Sequence, residues 1–241
     1  MKKLSLFAIC ATLLSGALTA QATEFSGNVA ITTDYRFRGI SQGDRSPAIQ
    51  GGFDLEHESG LYVGAWASNV TFSGAAIEMD YYGGFAGDFN ETVSYDIGAM
   101  WYSYPEDDSD PDLDYFEGYA SVSAMGGTLG IAWSPDYFAE TDTFFYLYGD
   151  YGISLAENLS LDFHVGWNLF DSDEAFGAFI GPAEGEDPGK DYIDYSVGLS
   201  TSAVGLDFGL SYIGTDLSKS ECFGGTKLCS DTVVFSVSKS L

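Results

Sequence analysis

The sequence predicts an all-β fold, a single antiparallel transmembrane β-barrel of about 12 strands of the outer-membrane type. Three observations predict it. Apolar and polar side chains alternate along about twelve segments of the chain, each about as long as the 9–11 residues that a tilted strand needs to cross a bilayer. Short and long connections between these segments also alternate, and the chain begins with an export signal.

The N-terminal 22 residues are expected to be a signal peptide. Met1–Lys3 is the positive start, residues 4–18 form a short apolar stretch, and Ala20–Ala22 is a small-x-small cleavage site. An uncleaved membrane anchor is the alternative, and it is disfavoured because no apolar continuation follows. The barrel domain is therefore expected to comprise residues 23–241.

Charge and cysteine content narrow the function classes. The chain carries 9 Lys+Arg and 36 Asp+Glu, a net charge of −27, and loss of the two signal-peptide lysines leaves 7 basic residues and a net charge of −29. This excludes a basic surface for nucleic acid.

Cys222 and Cys229, the cysteines outside the signal, predict one disulfide in an oxidising compartment. Two thiolates do not complete a tetrahedral site, and no histidine lies nearby in sequence, so we expect no metal and no cofactor.

The period-two alternation is clearest in residues 159–169. Odd-numbered positions from Leu159 to Leu169 are all apolar, and the even-numbered positions are Ser, Asp, His, Gly and Asn. A strand places successive side chains on opposite faces, so this segment has one apolar and one polar side. The same pattern recurs, with differing clarity, in residues 25–35, 48–57, 61–69, 77–85, 93–101, 114–124, 127–134, 143–154, 193–199, 204–212 and 232–241.

The connections are sorted by length, as in outer-membrane barrels, where short periplasmic turns alternate with longer external loops. The short ones are expected at 57–60, 87–91, 126–127, 156–158 and 202–203. The long ones are expected at 36–46, 70–75, 103–113, 135–142, 170–190 and 214–231. A secreted soluble β-sandwich is the alternative, but such a fold has no reason to sort its loops in this way.

The segment after the first strand resembles a known family. Asp34–Gln42 is similar to the opening signature of the TorF-type porin family, which is also described as the Gcw_chp domain of unknown function. Further similarity to that family lies in Pro47–Asp54, Gly64–Val70, Glu78–Gly84 and Val234–Ser240. The chain departs from other outer-membrane barrels by ending in Leu241 instead of an aromatic residue. The resemblance implies a barrel in the outer membrane of a Gram-negative bacterium, and it implies neither catalytic residues nor a substrate.

The polar face of a membrane barrel lines its lumen, and here that face is acidic. A wall of carboxylates around water favours cations and repels anions. The candidate pore-lining or constriction residues are Asp34, Arg36, Arg38, Asp54, Glu78 and Asp80.

Two interpretations of Arg36 and Arg38 remain open. They could face Glu78 and Asp80 across a constriction, or they could form bidentate pairs with buried lumen carboxylates and hold the barrel together, which we favour. A barrel of about twelve strands is narrower than the sixteen-stranded porins with an open channel. We therefore expect a narrow, selective or plugged pore.

The sequence favours a channel for small hydrophilic solutes that prefers cations, with the bilayer and these solutes as partners. The alternative is a non-conducting barrel with a structural or adhesive role in the envelope. A hydrolase is disfavoured because His57 is expected at a turn, His164 is expected as a hydrogen-bonded residue in mid-strand, and no Gly-x-Ser-x-Gly motif is present. We therefore expect no enzymatic activity, and a homo-oligomer is left open.

The acidic run 106–112 is expected to be a solvated surface; divalent-cation binding is its alternative.

Overall fold

The fold is a closed antiparallel barrel of twelve strands, as predicted. The computed structural model describes residues 23–72, 74–105, 107–185 and 189–241, so the predicted signal peptide lies outside the described residues. Its elements are β1 (Thr23–Thr32), β2 (Arg36–Phe37), β3 (Ile40–Ser41), β4 (Ala48–His57), β5 (Leu61–Phe72), β6 (Ala75–Asn90), β7 (Val93–Ser103), β8 (Tyr115–Ala124), β9 (Gly127–Ser134), β10 (Phe144–Ala156), β11 (Leu159–Phe170), α1 (Asp173–Ile180), β12 (Asp191–Ala203), β13 (Leu206–Thr215) and β14 (Thr232–Ser240).

The barrel closes between its first and last strands. β1 pairs with β4 on one side and with β14 on the other, where Asn28 lies opposite Ser240 and Thr32 lies opposite Ser236. A closed sheet satisfies every strand edge, which a membrane requires because lipid offers no hydrogen-bond partners. The short connections 58–60, 91–92, 125–126, 157–158 and 204–205 and both described chain ends lie at one end of the barrel, called the turn end below. The longer connections and the turn between β5 and β6 lie at the other end, the loop end.

Two predicted boundaries were wrong. The connection expected at 70–75 is a tight turn, because β5 and β6 continue until Phe72 pairs with Ala75. β1 ends at Thr32, not at residue 35, because the chain turns inward at Asp34. The side chain of Asp34 binds groups of the following segment instead of lying on a strand.

The predicted loop 170–190 contains the helix α1. The Ser172 hydroxyl accepts the backbone N–H of Ala175 at 3.1 Å, and Gly181 ends the helix in the left-handed region at φ 50°. A serine start, an acidic first turn and a glycine stop are ordinary helix signals that the sequence carried. No helix in the described part of the chain is both long and apolar enough to cross a membrane.

The outward face of the barrel is apolar. Isoleucine, leucine, valine and phenylalanine side chains point away from the lumen on every barrel strand, as the alternation predicted. Trp101, Trp133 and Trp167 also point outward, each 41–45% exposed and each close to the loop end of its strand. Tryptophan at such a level is typical of the interface between hydrocarbon and headgroups.

The predicted disulfide between Cys222 and Cys229 is present. It bridges residues seven apart in the connection 216–231, and both sulfur-bearing side chains are buried. The bridge therefore fixes the shape of the long connection before the last strand.

Replacing both Cys222 and Cys229 by alanine is expected to lower the free energy of unfolding by about 2–4 kcal/mol, because the bridge restricts the unfolded chain. Denaturant titration of the detergent-folded protein checks this. The unaltered protein under reductant is the matched control and should behave like the double variant. Identical unfolding midpoints with and without reductant would contradict the prediction.

Candidate functional site

A short hairpin folds into the loop end of the barrel. It is formed by β2 and β3 within residues 33–47 and is called the inward hairpin below. At its base, the Tyr35 ring packs edge-on against Trp66 of β5, with ring centroids 5.5 Å apart. At its tip, Gly39 lies against Thr215 of β13. The backbone at the hairpin tip therefore lies against β13, which is two strands away from β1 in the barrel.

Asp34 organises the base of the inward hairpin. One oxygen of its carboxylate accepts the Ser41 hydroxyl at 2.6 Å, and the other accepts Arg36 Nε at 2.8 Å. Asp34 is 5% exposed. The Asp34 carboxylate is thus hydrogen-bonded within the hairpin and does not face open water in the lumen.

Arg36 ties the inward hairpin to the connection before the last strand. Its Nη1 donates to the carbonyl oxygens of Gly39 at 2.9 Å, Leu228 at 2.9 Å and Ser230 at 3.1 Å. Burial lowers the pKa of Arg36, and the charge of Asp34 opposes that effect. One guanidinium therefore holds two loops that are far apart in sequence.

Arg38 and Glu117 form a buried bidentate ion pair. The two N–O distances are 2.8 and 2.9 Å, and the two side chains are 6% and 3% exposed. The guanidinium lies 4.3 Å from the Tyr146 ring centroid, 4.7 Å from that of Phe37 and 4.9 Å from that of Phe144. Its charge is therefore satisfied by one carboxylate and several aromatic faces. The pair binds the hairpin to β8.

Glu78 and Asp80 lie on β6 beside the base of the inward hairpin. Glu78 accepts the hydroxyl of Tyr35 at 2.6 Å and that of Tyr104 at 3.0 Å. Both carboxylates are buried, at 2% and 6% exposure. Asp54 on β4 is 1% exposed and accepts the Tyr82 hydroxyl.

The structure does not place the two arginines opposite Glu78 and Asp80 as a transverse pair. Arg36 binds Asp34, and Arg38 binds Glu117. Both contacts are of the kind that holds a barrel together. Glu117 was missed because the alternation in residues 114–124 leaves the facing of each side chain ambiguous.

Aromatic side chains fill the loop end around the Arg38–Glu117 pair. Tyr137 stacks on Phe144 with ring centroids 4.0 Å apart, and burial raises the pKa of Tyr137 to about 12. The other buried members of this aromatic plug are Tyr102, Tyr104, Tyr115, Tyr146, Phe170, Phe176 and Tyr192. The loop end of the barrel thus has a packed core.

The lumen towards the turn end is polar and accessible to water. His164 lies between the carboxylates of Asp150, at 2.7 Å from Nδ1, and Asp194, at 2.9 Å from Nε2, and its Nε2 also lies 2.8 Å from the Tyr146 hydroxyl. Asp162 accepts the Ser200 hydroxyl at 2.6 Å. A cavity of ≈ 230 Å³ opens here; its polar lining includes Asp150, Asp162, His164, Ser196 and Ser211.

Solved porin structures share this fold. A KdgM porin superposes with a TM-score of 0.56 at 8% sequence identity, with 89% of this chain and 97% of that chain covered. A KdgM porin in complex with disordered oligogalacturonate superposes with a TM-score of 0.53 at 8% identity, with 91% and 98% covered. At this identity, the likeness shows the fold alone.

Sequence comparison identifies the family. No curated protein matches the chain significantly. The family model described as "Bacterial protein of unknown function (Gcw_chp)" matches residues 17–241. This confirms the resemblance carried by Asp34–Gln42 and the later motifs: the chain belongs to the Gcw_chp family.

Proposed function

We propose that this protein is an outer-membrane channel for small hydrophilic solutes and that it prefers cations. The observation that carries the proposal is the distribution of charge along the lumen. Carboxylates face the water towards the turn end, whereas Arg36 and Arg38 of the inward hairpin are already bound in ion pairs. The turn end then faces the periplasm, and the loop end faces the outside.

The outer surface supports the placement in a membrane. Large apolar side chains cover it, and Leu129 is 74% exposed, Ile49 66% and Phe53 60%. A surface of this kind is stable in hydrocarbon and aggregates in water. An outer-membrane location also agrees with the predicted export signal and with the porin fold.

The cation preference follows from uncompensated carboxylates. Asp96 and Asp162 face the lumen on nearby strands with no cationic side chain within ion-pair distance among the described residues, and Asp150 and Asp194 share the single imidazole of His164. In a narrow, low-dielectric pore such charges raise the local concentration of cations and exclude anions. Oligogalacturonate, found with the KdgM porin, is a polyanion and would be repelled by this lumen.

One observation favours the alternative of a non-conducting barrel. The aromatic plug and the inward hairpin form a core at the loop end in which Phe144 is 1% exposed and Phe176 0%. A channel through this end requires either a narrow gap beside the core or displacement of the hairpin. The conductance experiment below separates the two functions.

Neutralising lumen carboxylates is expected to reduce the cation preference. In planar bilayers under a KCl gradient, the unaltered protein should show a reversal potential of the sign for cation selectivity. The double variant Asp96→Asn and Asp162→Asn should move that potential towards zero, because two of the lumen charges are removed. Asp136→Asn is the matched control, since this exposed carboxylate lies in a loop outside the lumen, and it should leave the potential unchanged.

Either of two results would overturn the proposal. Anion preference in the unaltered protein would contradict the charge argument while keeping the pore. A barrel that folds in detergent and never conducts in bilayers would favour the non-conducting alternative.

A further inference from the structure

Four inward tyrosines each lie opposite a glycine on the neighbouring strand. The pairs are Gly64 with Tyr82, Gly84 with Tyr62, Gly98 with Tyr119, and Gly130 with Tyr148. They occur on β5 with β6, on β7 with β8 and on β9 with β10. The four tyrosines are called the tyrosine belt below.

Each tyrosine of the belt leans over its glycine. A methyl group added to Gly64 would lie 2.7 Å from Tyr82 Cζ, and one added to Gly98 would lie 2.5 Å from Tyr119 Cζ. The phenol ends therefore occupy the space where a side chain on the neighbouring strand would stand. The rings lie along the wall instead of projecting across the lumen, and each is half-buried, with its remaining surface towards the lumen.

Hydrogen bonds hold the belt in this position. The Tyr62 hydroxyl donates to Asp96 at 2.6 Å and lies 2.6 Å from the Tyr119 hydroxyl, and Tyr82 donates to Asp54. The rings are thus ordered before any solute arrives, so binding would cost little side-chain entropy.

The belt adjoins the acidic part of the lumen. Asp96 binds a belt tyrosine directly. The Tyr148 ring lies 6.3 Å from the His164 ring, and His164 and Asp150 line the ≈ 230 Å³ cavity. Aromatic surface beside hydrogen-bond acceptors suits a pyranose ring, whose C–H groups contact the aromatic surface while its hydroxyls donate to carboxylates. An amine on such a ring gains further from the carboxylates and from the aromatic faces, whereas a carboxylate on it is repelled.

We propose that the tyrosine belt and the adjoining carboxylates form a binding site for saccharides that carry no negative charge, with amino sugars bound most tightly. This inference rests on the proposed function, since it names the solute class for the same lumen. The competing explanation is that the tyrosines only fill the space above the glycines, and the test distinguishes the two.

The test is calorimetric titration of the detergent-folded protein with three probes of similar size: the glucosamine trimer, maltotriose and trigalacturonate. The expected order of affinity is glucosamine trimer, then maltotriose, with no binding of trigalacturonate. Tyr148→Leu and, separately, Tyr119→Leu should each weaken binding roughly three- to tenfold, because each removes one aromatic contact. Tyr148→Phe should retain most of the affinity, because it keeps the ring. Tyr81→Leu, on the outward face at 47% exposure, is the matched control and should have no effect.

Absence of binding by the folded protein, preference for trigalacturonate, or equal losses in Tyr148→Leu and Tyr81→Leu would each overturn the inference. Folding of every variant is checked by its resistance to unfolding on unheated gels, and the Tyr119 variant serves if the Tyr148 variant fails to fold. Conductance without saccharide binding would overturn this inference and leave the channel standing. Saccharide binding by a barrel that never conducts would overturn the channel and leave the site standing.

Discussion

Replacing Arg38 by methionine is expected to lower the free energy of unfolding by about 3–5 kcal/mol, because it leaves the buried carboxylate of Glu117 without a partner. Both side chains are nearly inaccessible to water, so solvent cannot take the place of the missing charge. Glu117→Leu should lower the free energy of unfolding by a similar amount, because it leaves the buried guanidinium without a partner. The measurement is denaturant unfolding in detergent, followed by tryptophan fluorescence.

The double variant Arg38→Met with Glu117→Leu separates this charge effect from loss of packing. Removing both charges leaves no buried ion without a partner. The double variant should therefore lose clearly less free energy of unfolding than the sum of the losses in the two single variants. Lys190→Met is the control for loss of an exposed positive charge and should change stability little. Additive losses in the cycle would contradict the assignment of the pair as the buried anchor of the inward hairpin.

The same variants should alter conduction. Arg38 binds the inward hairpin to β8, so Arg38→Met should release the hairpin from the barrel mouth and increase the single-channel conductance. Unchanged conductance in a folded Arg38→Met barrel would show that the hairpin does not limit the passage.

Replacing Gly39 by valine is expected to lower the free energy of unfolding by about 2–5 kcal/mol, from backbone strain and overpacking together. Gly39 has a φ of +79°, which a β-branched residue adopts only at a cost. Its added Cβ would also meet Thr215, and it would lie 2.9 Å from the Gly214 carbonyl oxygen and 3.0 Å from Asp194 Cβ. The hairpin tip should therefore move away from the wall formed by β12 and β13.

Gly185→Val is the matched control for this variant. Gly185 has a similar φ of +88°, but no atom of the described residues lies within 4 Å of an added Cβ, so valine there should show the backbone cost alone. The difference between the two variants in unfolding free energy measures the contact between the hairpin tip and the wall. Equal losses, together with unchanged conductance, would contradict the docking of the hairpin tip against the wall formed by β12 and β13.

The barrel itself was predictable because its signals are local. The alternation from Leu159 to Leu169 decides which side chains face outward from the barrel, and a strand obeys this period whatever its neighbours are. Turn positions followed from the same segments, although β5 and β6 run further than the polar residues between them suggested. The pairing of Cys222 with Cys229 needed only the count of cysteines outside the predicted signal peptide.

The inward hairpin was not predictable, although its residues were recognised as candidates. Asp34 and Arg36 are two residues apart and pair locally. Arg36 reaches Leu228 across 192 residues of sequence, and Arg38 reaches Glu117 across 79. No pattern within a segment encodes such contacts, because they depend on which strands the closed barrel brings face to face.

The sequence by itself therefore determined the fold class, the family, the apolar outer surface and the acidic character of the lumen. The tertiary structure decided how those charges are used. Barrel closure buries the two arginines against particular carboxylates and aromatic rings at the loop end, and strand register sets each belt tyrosine over a glycine. The physical reason is that side-chain facing is a property of one strand, whereas ion pairs and ring contacts across a lumen exist only when distant strands share the same enclosed space.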